Sequence, residues 1–578
     1  MKALFRSFVD IKPRPMATKK SSAKPTLTRL VGQLGKIVRS WDAASVQLQK
    51  QLLKSIGKLA LDKASNVTAL HDSLLFLLAY PADAEVLALA EGEMRRLTRH
   101  VASRTRGKTH PDEFHNSGIA GSDACSIFSL SMTQWLADEF GSAVTLYTDD
   151  FQTEKLMQLL NTSLDPVEQE MMHSEKMEWE WYSQTMSGIA WDRHALLKWI
   201  LSRLEATGVS GLRAAEYLFS ELEIFVNWRM QEDGPSLSRT RIRQVEPFFH
   251  PTGILKRIQL QDALAQGRPR QIALTLDAQR ELVKQSRGAL GSLLRETDPL
   301  TYAAVEETEL FDMGRGVSVA LFYMDRKHKM ALQSYVGYLL FKNGVPCAYG
   351  GGWVVNKEAG FGVNIFPPFR GGESANIVCQ LLRLYALHFG LSSFTVDPYQ
   401  IGYGNPDGIA SGAFWFYYRL GFRAMEEDLA KLSEKEFAKM AKDSQYRSSE
   451  ATLLKLAGST LRWTDGKAAA PFFTPDLMGD LVSTHVGKHF GGSREAATAH
   501  AMKLLHKATG LRNAPLLQPI LLLALATGYL DRTEGSRLQQ FAETYSLKSS
   551  NESAYLREAQ QFQDFFEGLS KAQKKMRV

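Results

Sequence analysis

The chain has 578 residues, of which 44% are hydrophobic and 23% charged. This is the balance of an ordinary soluble globular protein, long enough for about three or four domains, and it excludes collagen-like and wholly disordered classes. The net charge of +7 and pI near 9.0 belong to two tails. Lys2, Arg6, Lys12, Arg14, Lys19, Lys20 and Lys24 face a single acid, Asp10, and Lys571, Lys574, Lys575 and Arg577 face none. The body between them is therefore slightly acidic, and specific nucleic-acid binding is not expected.

In chain order, residues 1–25 read as a disordered basic leader, interrupted by charge and proline where a secretory signal needs an apolar run. Leu30, Leu34, Ile37, Val38 and Trp41 repeat at helix spacing and open a helical region over 26–109. One helix there, including Asp72–Ala79, should stop at Tyr80-Pro81, and another should cover 83–104. Residues 110–275 form a mixed, mainly helical region. A loop from His110 leads to a helix ending near Phe140-Gly141 and a strand Ala143–Tyr147, a possible small α/β unit. Residues 165–235 read as helical and Gly267–Arg270 as a linker.

Strands dominate 276–425. The run from Gly316 to Met324 is β-branched and aromatic, and Asn343-Gly344 between Tyr335–Phe341 and Val345–Val355 predicts a tight hairpin. Phe361–Ile365 is a further strand, Ser374 starts a helix closing before Gly390, Phe394–Val396 is a strand and Ala413–Arg419 a short helix. The remainder, 426–578, reads as helical, with a capping-box spacing at Ser433–Glu436 and a helix from Ser493 to Gly510. Leu516–Leu530 is too short to span a bilayer and reads as a core helix. The fold class is thus α+β or α/β and multidomain, with helical terminal regions around a mixed sheet. Cys125, Cys347 and Cys379 show no CxxC pair, and with no signal sequence they point to a reducing, cytoplasmic setting.

The chemistry concentrates in FGVNIFPPFRGGESANIVCQLLRLYALHFGLSSFTV. Glycines at 371 and 372 allow main-chain N–H groups to approach an anion, the helix from Ser374 adds the positive end of its dipole, and Arg370 adds a charge. A tight turn and a surface arginine are the plainer readings of the same residues. The string Arg370-Gly371-Gly372-Glu373-Ser374-Ala375 between a strand and a helix resembles the Arg/Gln-x-x-Gly-x-Gly/Ala loop of the GNAT superfamily of acyl-CoA N-acyltransferases. Ala413 to Phe422 resembles that family's closing signature. The likeness covers about 110 residues.

The resemblance implies an acyl-CoA, acetyl-CoA above all, held in a split between the strands at Phe361–Ile365 and Phe394–Val396. Arg370, Gly371, Gly372, Ser374 and Ala375 would hold its pyrophosphate, and main-chain N–H groups of the first strand would meet the oxyanion. Tyr417 would protonate the leaving thiolate, with Tyr418 as the alternative, and the acceptor would be an amine. Asp397, Glu306, Glu307 and Glu309 are the candidate bases. Glu373 stands where the family has glycine, and the family's Asn position falls on Ala410, with Asn405 upstream. A silent interaction or scaffold protein is therefore the alternative to a transferase. Cys379 reads as core. The groups His110, Asp112, Glu113, His115 and His173, Glu175, Glu178, Glu180 lack metal-ligand spacing, so no metal is expected.

Overall fold

Four helices begin the computed structural model, which describes residues 26–105, 113–147, 153–162, 164–171, 179–188, 192–206, 214–466, 475–511 and 517–576. They are α1 (Leu27–Ile37), α2 (Ala43–Ile56), α3 (Ala64–Ala79) and α4 (Ala84–Thr105). Thr26 and Asp42 cap the first two by accepting the N–H groups of Arg29 and Ser45. The third stops at Tyr80 before Pro81, as proline geometry requires.

A small antiparallel sheet follows, with β1 (Asp123–Ser126) and β2 (Val144–Leu146) on either side of β3 (Val226–Arg229). The helix Leu130–Phe140 and β2 fall where the sequence placed them. The strand β3 corrects the helical reading of 165–235. Val226 and Trp228 are buried while Asn227 and Arg229 are not, a period of two that outweighs the helical neighbourhood. Trp228 lies opposite both Ala124 and Val144, at the centre of a separate apolar core.

The main sheet has nine strands: β4 (Arg270–Ile272), β5 (Glu309–Gly314), β6 (Val317–Phe322), β7 (Ser334–Lys342), β8 (Val345–Val355), β9 (Glu358–Ile365), β10 (Ser393–Val396), β11 (Arg423–Ala424) and β12 (Leu461–Thr464). Their spatial order is 11-12-10-9-8-7-6-5-4. Among the described residues only the β9–β10 pair of this sheet is parallel. Asn343 and Gly344 both take positive φ, 48° and 76°, and make the expected turn between β7 and β8.

Two strands of this sheet, the edge strand β4 and the inner strand β12, come from outside 276–425. The expected linker at Gly267–Arg270 runs into β4, and Arg383 Nε donates to Gly267 O at 2.8 Å. The strand β12, read from sequence as part of a helical region, inserts antiparallel between β10 and β11. The Ser433–Glu436 capping box is also corrected. Both residues lie inside the helix Glu427–Lys442, where Ser433 Oγ bonds back to Ala430 O and Glu436 accepts from Tyr446 and Ser448. Ser493 does cap the helix Arg494–Thr509, and Gly510 ends it at φ 78°.

The helix Ser374–Phe389 is buried on most of its faces beneath the sheet. A single apolar core joins it to the N-terminal bundle and to the C-terminal helices. The C-terminal part is tied down by Lys548, whose Nζ donates to Leu332 O, Gln333 O and Ser334 Oγ. Among the described residues no helix is long and apolar enough to cross a membrane.

One buried ion pair fastens these parts together. Lys342 Nζ lies 2.9 Å from Glu373 Oε2, and both side chains are wholly buried. Glu373 Oε1 accepts the N–H of Leu255 at 2.7 Å, and Lys342 also donates to Arg315 O at 2.8 Å. The ammonium lies 5.0 Å from the ring centre of Tyr80. Burial nevertheless pushes the proton affinity of Lys342 down. Removing one partner from such a pair strands the other charge, so Glu373→Gln should cost about 3–5 kcal/mol. Replacing both, as Lys342→Met with Glu373→Leu, should recover most of that loss; urea unfolding of the three variants measures it.

His250 sits beside this pair, with Nδ1 3.3 Å from Gly253 O and Nε2 buried without a partner. Burial, then the charge of Lys342, lowers its pKa to about 4 from the ordinary 6.5. The folded value lies below the unfolded one, so between those two pH values the unfolded chain binds a proton that the folded chain refuses. The histidine's contribution is complete above pH 6.5 and is lost as the pH falls, by roughly 2 kcal/mol between pH 7 and pH 5. In urea melts at those two pH values, His250→Phe should show a correspondingly smaller drop in stability than the parent chain.

Candidate functional site

The strands β9 and β10 pair over three positions only, Glu358, Ala359 and Gly360 against Ser393, Phe394 and Thr395. Beyond Gly360 they part, while β9 stays paired with β8 as far as Ile365. The main-chain N–H of Val363 points into the opening, where Gln400 Oε1 accepts it at 3.2 Å. Gln400 belongs to the short helix Pro398–Ile401, and Asp397 caps that helix by accepting the N–H of Tyr399 at 2.8 Å. A main-chain donor of the parted strand is thus held by a side chain rather than by a neighbouring strand.

Beside the opening lies a cavity of about 950 Å³. Glycines make its floor: Gly350 and Gly351 from β8, Gly360 and Gly362 from β9. Its walls carry four carboxylates, Glu296, Asp298, Glu358 and Asp397, against one basic side chain, Arg295. Burial pushes the proton affinities of Glu296 and Glu358 up. Glu358 Oε2 accepts from Ser393 Oγ and from Arg462, while its Oε1 has no partner. Tyr335 and Trp353 stack at 4.3 Å with planes 1° apart, and Trp353 is 40% exposed. With Glu358 paired to Arg462, the cavity still offers the carboxylates of Asp298 and Asp397 and a flat aromatic wall, surroundings that suit a cation carried on an apolar or planar body.

The glycine-bearing loop follows β9. Pro367–Phe369 form one 3-10 turn, Gly371 takes φ 70° and is exposed, and Gly372 is buried against Phe369 O, Phe76 and Ile254. Arg370 is exposed and its Nε donates to Ile365 O at 3.0 Å. Ser374 and Ala375 stand half-buried in the first turn of the helix, ahead of Ile377 N–H, which bonds Glu373 O at 2.8 Å. Arg39 of the N-terminal bundle reaches the same loop, donating to Arg370 O at 2.7 Å and Pro368 O at 2.9 Å. Two guanidinium groups thus stand at the bend. Glu373 turns inward to Lys342 and so does not present its charge there.

Tyr417 is buried in the helix Ala413–Arg419, with its ring edge-on to Phe416 and Phe422. Burial raises its proton affinity, so the phenol stays protonated. It lies within electrostatic reach of Tyr338, whose hydroxyl donates to Gly362 O at 2.8 Å in the parted strand. Tyr418 stacks on Phe414 and carries Arg423 over its ring.

The other candidate bases are placed elsewhere. Glu306, Glu307 and Glu309 border a different cavity, of about 500 Å³, where Glu307 pairs with Lys329 and Glu309 is held by Tyr323 and His388. Asn405 caps the helix Pro406–Ser411, within what the sequence showed as an enlarged loop, and Ala410 lies in that helix. Cys379 is buried and its thiol is pushed up to about 12, as suits a core residue. His110, Asp112, His173, Glu175 and Glu178 lie outside the described residues; Glu113 pairs with Arg104 at 2.9 Å. Among the described residues no cluster could hold a metal ion.

Sequence reasoning missed Gln400, Glu358 with Arg462, and the whole acidic cavity. The signal available was the run Gly350-Gly351-Gly352 followed by Gly360 and Gly362 in two strands that have no turn to make. No family model matches the chain, and no curated protein or solved structure is significantly similar to it.

The glycines differ in how much room they have. A Cβ on Gly351 would lie 2.5 Å from the Tyr335 ring and 2.9 Å from Val336 O, whereas one on Gly362 meets nothing closer than Gln400 at 3.9 Å. Gly351→Ala should therefore destabilise by about 1–3 kcal/mol. Gly362→Ala should change stability by less than about 0.5 kcal/mol, which makes it a clean probe of the opening. Thermal and urea unfolding of the two variants check the contrast.

Proposed function

We propose that the chain is an acyl-CoA-dependent N-acyltransferase of the GNAT type, moving an acyl group, most simply acetyl, from CoA to a cationic amine. The observation that carries the reading is the single parallel strand pair that parts after Gly360 with the Val363 N–H directed into the gap. A thioester carbonyl placed there would take over the N–H that Gln400 Oε1 now holds, so its developing oxyanion would meet a fixed donor. The acceptor amine would enter through the acidic, aromatic cavity. Once its ammonium has given up a proton, the neutral amine attacks the carbonyl carbon, the C–N bond forms, the C–S bond breaks, and the thiolate takes a proton from Tyr417, which the second proton leaving the nitrogen replaces. Asp397 and Glu358 border the same space and are the carboxylates available to receive the amine's proton.

At the bend, the exposed Gly371, the leading N–H groups at Ser374 and Ala375 and the charges of Arg370 and Arg39 would take the pyrophosphate. The inward turn of Glu373 removes the main objection to an anion there. A second reading, a silent scaffold, is favoured by the covering of the same loop: Phe76 and Ile254 pack on Gly372, and Arg39 occupies two loop carbonyls.

Calorimetric titration with acetyl-CoA separates the two. The transferase reading expects a dissociation constant below about 1 mM, weakened several-fold in Arg370→Ala. Tyr417→Phe should leave that constant in place and lower acetyl transfer to amines by about 100-fold. Absence of binding at millimolar acetyl-CoA would contradict the transferase reading.

A further inference from the structure

Away from the parted strands, a cavity of about 230 Å³ lies between α4, the helix Leu276–Gly291 and the extended segment 238–244. Arg239, Arg241 and Arg243 alternate along that segment and all line the cavity, and Arg95 joins them from α4. The segment is fixed on both sides. Ile242 N–H donates to Gly344 O at 3.1 Å, Thr240 Oγ1 to Gln285 O at 3.2 Å, and Ser238 Oγ accepts the N–H of Ala120 at 3.2 Å. The guanidinium groups are therefore presented by a backbone that cannot swing them apart.

Their charge is not balanced from within. Two carboxylates, Glu91 and Glu281, border the cavity against four guanidinium groups. Glu91 lies 3.9 Å from Arg95 and acts on Arg241 only from beyond ion-pair distance, and Glu281 accepts from Gln285 at 2.7 Å. Arg241 has five N–H donors; one of them, on Nη1, bonds Thr240 O at 2.6 Å, and no carboxylate lies within ion-pair distance of it among the described residues. Arg239 Nε is buried with no partner at all. Burial and the neighbouring arginines lower the proton affinity of Arg241 to about 10, so it stays charged at neutral pH. Crowding like charges with unspent donors around a partly sheltered cavity costs free energy that an anion would relieve.

We infer that this cavity binds a phosphate group, through Arg239, Arg241 and Arg243, as inorganic phosphate or as the head of a small phosphomonoester. A dianion matches the surplus of two positive charges, and guanidinium forks match its oxygens. The site is separate from the loop at Arg370 and does not depend on the transferase reading.

The test uses the full chain at constant ionic strength, titrated in parallel with inorganic phosphate, glycerol 3-phosphate and, as control, chloride. Expected are a dissociation constant in the micromolar range for at least one phosphate compound, no heat with chloride, and a rise in melting temperature with the compound that binds; the tighter of the two identifies the source. Arg241→Gln should weaken binding at least tenfold. Because that side chain is half-buried and bonded to Thr240 O, Arg243→Gln on the exposed rim provides a second variant, expected to fold normally and bind at least three-fold more weakly. Arg370→Ala should bind phosphate as the parent does. No phosphate-specific binding by the parent chain, unchanged affinity in folded Arg243→Gln, or loss of binding in Arg370→Ala would each overturn the inference.

Discussion

The buried pair of Lys342 and Glu373 is the constraint on which the rest of the architecture depends. It joins the end of β7 to the residue that starts the central helix, and through Leu255 and the Tyr80 ring it draws in two segments distant in sequence. A pair like this gains little over an apolar contact in net stability, because desolvation offsets most of the attraction. What it gains is register: two wholly buried charges can be satisfied in one arrangement only. That arrangement sets where the helix Ser374–Phe389 begins and therefore where its leading N–H groups stand relative to the bend at Gly371. It also turns Glu373 away from the surface that an anion would approach.

The parted strands follow from the course of the chain after β10. Gly360 and Gly362 project no side chain toward the cavity, and Gly351 does the same on the adjacent strand. Across the sheet, β10 is short and its next residue, Asp397, already caps a helix, so its ladder with β9 ends after Thr395. The strand β12 pairs with the far side of β10 and keeps the sheet continuous beyond the gap. Strand separation here is a consequence of the chain turning into a helix after β10, and it leaves Val363 N–H served by Gln400 alone.

Much of this was legible in the sequence where the determinant was local. Asn343-Gly344 named its own turn, Pro81 ended α3, and Ser374 and Gly390 bounded the central helix, because each signal acts through backbone geometry within a few residues. The rest depended on partners far away in the chain. Nothing near residues 461–464 announces that Leu461 and Trp463 will face a core between β10 and β11. The alternation of Val226 and Trp228 was masked by aromatic helical neighbours. The contact of Arg39 with the loop carbonyls spans more than three hundred residues, and the inward turn of Glu373 needed Lys342 to be seen. Among the candidate residues, those carrying a motif, Arg370 to Ala375 and Tyr417, could be proposed from sequence. The cavity could not, because it is built from glycines and from carboxylates on separate elements.

The central claim is that the gap between β9 and β10 receives the thioester of an acyl-CoA. A crystal structure of the chain with a non-hydrolysable acetyl-CoA analogue tests it directly. The account predicts the acyl oxygen within hydrogen-bond distance of Val363 N, Gln400 displaced from that donor, and the pyrophosphate at Gly371 and Ser374. An analogue bound elsewhere on the surface, or bound with the Gln400–Val363 contact intact, would contradict it.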